Sequence, residues 1–155
     1  MKTINLKYTL LSALILGLFS HSEMILANSI NGTLGNAASA TDFYRVTCSK
    51  NANGDTSRFA ASVRDLLPVA APLVSVQIIK ANTSYAKNST DAVDGNNTPS
   101  SSVVIQPVAP FSGNGVYEVR VNKTATGAES YKLNFTCYSS TNLVTGTALV
   151  KVQDQ

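Results

Sequence analysis

Two seven-residue segments ending on the chain's only two cysteines restrict the fold more than any other feature: Asp42-Phe43-Tyr44-Arg45-Val46-Thr47-Cys48 and Tyr131-Lys132-Leu133-Asn134-Phe135-Thr136-Cys137. Extended backbone sends successive side chains to opposite faces. Tyr44, Val46 and Cys48 then share one face of the first segment, and Tyr131, Leu133, Phe135 and Cys137 share one face of the second. A slip of one residue in either segment turns its sulfur outward. The common phase predicts an early and a late strand meeting across one core, with Cys48 bonded to Cys137.

The same period recurs along the chain, and no stretch carries a sustained helical stripe with caps. Gly115 to Val121 places Tyr117, Val119 and Val121 against Glu118 and Arg120, and Leu73 to Ile79 places Val74, Val76 and Ile78 together. Ser57 to Val63, Ser102 to Val108 and Leu143 to Val152 are weaker strand candidates. Asn51 to Asp55, Ser112 to Gly115 and Thr126-Gly127 supply residues that tolerate positive φ and read as turns. Asp65 to Pro72 reads as a loop because of its two prolines. The polar stretch from 80 to 102 reads as a long irregular loop. The expected fold is all-β, a single β-sandwich of jelly-roll type with one disulfide; a small closed β-barrel is the rival.

Met1 to Lys7 is basic, and Tyr8 to Phe19 is an apolar run too short to span a bilayer, which takes about 20 residues. This order predicts a secretory signal over residues 1–27, cut at Ala27 or alternatively at Ser22, followed by one domain over 28–155. Export to the periplasm or beyond suits a persistent disulfide. It also removes His21, Met1 and Met24, so the exported chain has no His, Met or Trp. Loss of Lys2, Lys7 and Glu23 takes the formal charge from +3 to +2. Charges this sparse and scattered argue against a nucleic-acid surface. No second long apolar stretch follows, so no membrane span is expected after signal cleavage.

Without histidine, the usual catalytic triads and the common zinc, copper and haem sites lack their ligands, which points away from an enzyme. Asp42, Asp55, Asp65, Asp91, Asp94, Glu118 and Glu129 offer carboxylates, but no spacing singles out a glycosidase pair. Asp91-Ala92-Val93-Asp94-Gly95-Asn96-Asn97 combines acids, amides and a glycine. Its Asp91, Asp94 and Asn96 could hold calcium through oxygen, although the same residue types form plain polar turns. No other cofactor is expected. Phe43, Tyr85, Phe111 and Tyr138 lie outside the inferred core face or near loops and are candidate ligand-binding rings, since an apolar face with a polar tip suits sugars. Packing under loops is the plainer account of these rings.

Ile30-Asn31-Gly32-Thr33-Leu34, Thr41-Asp42-Phe43-Tyr44-Arg45-Val46, Gly113 to Val121 and Ser130-Tyr131-Lys132-Leu133-Asn134-Phe135 occur in an order that resembles the bacterial pre-peptidase C-terminal domain. The likeness covers most of residues 30 to 137, and Leu73 to Ile79 departs from that family's acidic middle strand. The resemblance implies a sandwich and an accessory role. The expected function is a non-enzymatic module contacting a surface polysaccharide or an exported partner protein. The alternative is a structural subunit of an extracellular assembly that uses 143–152 as a pairing strand.

Overall fold

The computed structural model describes residues 28–69 and 72–155, so the expected signal segment lies outside the described residues. Nine strands and no helix make up the described chain: β1 (Asn28–Leu34), β2 (Asp42–Ser49), β3 (Arg58–Asp65), β4 (Val74–Lys80), β5 (Ala86–Thr90), β6 (Val103–Ile105), β7 (Gly115–Lys123), β8 (Glu129–Tyr138) and β9 (Gly146–Gln153). They form two sheets, in the orders β1-β8-β3-β6 and β5-β4-β7-β2-β9. Every pairing is antiparallel. The sheets pack face to face as a sandwich and do not close into a barrel, which decides between the two expected architectures.

Alternation explains the packing. Tyr44, Val46 and Cys48 of β2, Val74, Val76 and Ile78 of β4, and Tyr117, Val119 and Val121 of β7 form the buried face of one sheet. Phe59, Ala61 and Val63 of β3 meet Tyr131, Leu133, Phe135 and Cys137 of β8 on the buried face of the other. Each fully buried large aliphatic or aromatic side chain contributes roughly 1.5–3 kcal/mol by leaving water. Cys48 and Cys137 are bonded, with Cα atoms 5.7 Å apart, and tie the two sheets together through strands that lie inside their sheets rather than at the edges.

The region from 80 to 102 departs from the expected irregular loop, because residues 86–90 form β5 against β4. Both faces of this edge strand are polar and mostly exposed, so it carries no alternation to read. The candidate 143–152 strand forms as β9 and pairs with β2 of its own sheet, Cys48 opposite Thr147 and Val46 opposite Leu149.

Three tyrosines anchor the interior. Tyr117 donates to the Gly113 carbonyl at 2.8 Å, and burial pushes its phenol up to about 12. Tyr44 and Tyr131 are also raised, in each case chiefly by burial. A phenol with a raised folded pKa keeps its proton in the folded state after it would have lost it in the unfolded chain. Its contribution to stability is complete below about pH 10 and is lost as pH rises through the folded value. We therefore expect the protein to lose stability from about pH 10 toward 12, with the phenolate absorbance of these three rings rising together with unfolding. Ionisation of all three while the far-ultraviolet circular dichroism stays native would contradict this.

Candidate functional site

The loop after β5 closes one end of the sandwich over β3 and β4. Asp91 fixes its start: Asp91 Oδ2 accepts from the Asp65 amide at 2.9 Å, Oδ1 accepts from the Val93 amide at 3.5 Å, and the Asp91 amide donates to the Val74 carbonyl at 2.9 Å. Ser100 fixes its end, its amide donating to the Val63 carbonyl at 2.7 Å and its Oγ accepting from the Val63 amide at 3.1 Å. Between them the chain turns at Gly95, whose φ is +69°. A Cβ there would stand 2.3 Å from Val69 Cγ2, so close approach as well as the left-handed turn requires glycine.

This turn delivers Asp94 to Asp65 and Glu129. One carboxylate oxygen from each of the three lies within 4.8 Å of the others. Asp65 ends β3 on its inward face, and Glu129 begins β8 on the inward face opposite Leu34. Both are buried, at 0% and 2% exposure. Asp65 Oδ2 accepts from the Val74 amide at 2.8 Å, whereas Asp65 Oδ1 and Glu129 Oε2 have no hydrogen-bond partner. Burial pushes the Asp65 carboxyl up to about 7, against the pull of the Val74 amide and with added repulsion from Asp94, Glu129 and Asp91. Glu129 is raised too, by burial and by Asp94, with Lys123 opposing.

The expected calcium ligands are thus only partly brought together. Asp94 joins the cluster, but Asp91 spends its oxygens on backbone amides, and Asn96 Oδ1 accepts from the Thr98 amide at 2.5 Å as a local turn. Asp65 and Glu129 take their places. They lie 29 and 35 residues from Asp94 along the chain, and only the pairing of β3 with β8 brings their side chains together.

Of the four candidate rings, Tyr85 and Phe111 meet. Their centroids are 6.1 Å apart and edge to face. Tyr85 Oη accepts from the Val108 amide at 3.3 Å, which holds the 106–111 turn against the start of β5. Phe111 remains 49% exposed. Beside the pair runs a groove of about 440 Å³ lined by Ser84, Tyr85, Ala86, Lys87, Val104, Ile105 and Gln106, between the outer edges of β5 and β6. Phe43 lies elsewhere, on the outer face of the five-stranded sheet, with the Arg45 and Arg120 guanidinium carbons 5.9 and 5.6 Å from its ring. Tyr138 projects from β8 of the other sheet under Arg58, 4.6 Å away. The four rings do not form one platform.

Comparison of the chain with protein-family models, with curated proteins and with solved structures gave no match. The groove also contains a Ser-x-x-Lys spacing, Ser84 and Lys87, absent from the sequence-based expectations. On a helix that spacing stacks the two side chains one turn apart, whereas here Ser84 lies in the bend before β5 and Lys87 on the strand itself.

A second polar cluster supports the fold. Tyr131 donates to Asp42 Oδ2, Tyr44 Oη lies 2.5 Å from Tyr131 Oη, and Lys151 Nζ is 3.1 Å from Asp42 Oδ2. The Gln155 amide donates to Asp42 Oδ1 at 2.8 Å. Asp42 is fully buried, and its acceptor positions are filled from β2, β8, β9 and the segment after β9.

Proposed function

We propose that this chain is a secreted or periplasmic, non-enzymatic β-sandwich module that contacts a carbohydrate-like surface polymer through the groove between β5 and β6. The Tyr85–Phe111 pair carries this reading. It presents a half-exposed apolar ring beside Lys87, Gln106 and Ser84, which can hydrogen-bond hydroxyl groups. The sandwich and its intersheet disulfide suit an exported accessory domain, in keeping with the resemblance to pre-peptidase C-terminal domains. Among the described residues no helix is long and apolar enough to cross a membrane.

The 143–152 segment favours a solitary module over an assembly subunit. Its strand already occupies the edge of its own sheet through seven paired positions with β2. A polysaccharide array probed with the wild type, Phe111→Ala and Lys87→Ala is the test. We expect a defined glycan class to be retained by the wild type. Phe111→Ala should weaken binding about ten-fold, as expected for loss of an exposed aromatic contact beside the groove. Binding to an exported protein but to no glycan, or glycan binding indifferent to Phe111, would replace this reading.

A further inference from the structure

We propose that Asp65, Asp94 and Glu129 form a divalent-cation site that takes calcium. The site is separate from the β5–β6 groove and does not depend on what the groove binds.

The geometry fits a hard cation. Calcium holds oxygens at about 2.3–2.6 Å, so two ligands on opposite sides of one ion lie about 5 Å apart. The three carboxylate oxygens here, within 4.8 Å of one another, already fall inside such a shell. An acidic cluster alone does not make a site, but two of its residues carry an independent sign. Asp65 Oδ1 and Glu129 Oε2 are both withdrawn from water and have no protein donor. A buried acceptor left in that condition bears its full desolvation cost, and a carboxylate costs more than a neutral group. A cation between the carboxylates offsets the cost at both atoms at once and cancels the repulsion among the three.

The surroundings favour calcium over magnesium. Magnesium demands near-ideal octahedral geometry and keeps several of its waters. Asp65 and Glu129, fully and almost fully buried, favour direct ligation over contact through retained waters. Calcium accepts irregular sets of oxygen ligands and two-oxygen binding by a carboxylate. Asp94 is half-buried on the covering loop and gives the ion a way in from solvent.

The test uses the 28–155 chain with its disulfide intact, stripped of metal with a chelator. Titration with calcium chloride should give saturable heat with one ion per chain and a Kd on the order of 10⁻⁴–10⁻³ M, the range of extracellular modules. Calcium in excess of that Kd should raise the unfolding temperature. Asp94→Asn and Glu129→Gln should each weaken calcium binding at least ten-fold without lowering the unfolding temperature of the metal-free protein, because each removes a like charge from the cluster. Should Glu129→Gln fail to fold, Asp94→Asn on the covering loop still decides the matter. Absence of saturable binding by the wild type would overturn the site and leave protons as what neutralises the cluster. Undiminished binding in folded Asp94→Asn would place the ion elsewhere, and equal affinity for magnesium would overturn the choice of calcium.

Discussion

Replacing Cys48 and Cys137 together by Ala is expected to lower the unfolding free energy by about 4–5 kcal/mol. The bond closes a loop across 89 positions, and the chain-entropy description assigns roughly that stabilisation to a loop of such length through restriction of the unfolded ensemble. Placement adds to the argument. β2 lies between β7 and β9, and β8 lies between β1 and β3, so the bond joins the interior of one sheet to the interior of the other. Ala is the appropriate replacement because both positions are buried, and a serine hydroxyl there would need a partner. Guanidinium unfolding of the oxidised wild type and the double variant measures the difference, and the reduced wild type should resemble the variant. Coincident midpoints for all three would show that the sheets are held by packing alone.

Asp42→Ala should cost about 3–5 kcal/mol, the usual penalty for removing one partner of a buried charged network. Lys151, 28% exposed at its side chain, can turn toward solvent, but Tyr44 and Tyr131 cannot. Their hydroxyls would keep each other and lose the carboxylate that gathers them. Relief by rearrangement is limited, because the Tyr131 ring lies against the backbone of Gly32, where even a Cβ would stand 2.3 Å from it. Asp42→Asn, which keeps the shape and one acceptor, should cost less. Urea denaturation with the disulfide intact separates the two variants. A loss below about 1 kcal/mol for Asp42→Ala would show the network to be no stronger than one ordinary hydrogen bond.

The strands with one wet face and one dry face were readable from the amino acids. β2, β4, β7 and β8 announce themselves by alternation, and the phase of Cys48 and Cys137 foretold which sides face each other. β5 did not, because an edge strand with two polar faces has no period to detect. The acidic cluster was half legible. Asp94-Gly95 has the composition of a turn that can present a carboxylate, yet Asp65 and Glu129 join it only through the pairing of distant strands. Asp91 accepts backbone amides, a role that in a linear sequence looks the same as that of a carboxylate awaiting an ion. The meeting of Tyr85 with Phe111 likewise depends on a turn that returns to the start of β5.

The order of the strands has a consequence for how the chain acquires its shape. Among the described residues, β1 finds its neighbour only in β8, and β2 lies between β7 and β9, while the hairpin of β4 with β5 is the only pairing between consecutive strands. A polypeptide emerging amino end first must therefore keep its opening strands waiting, unpaired and sticky, until nearly the whole length has followed. Late, concerted collapse is then favoured over stepwise growth, and the edges of β1 and β2 stay bare until β7 to β9 have formed.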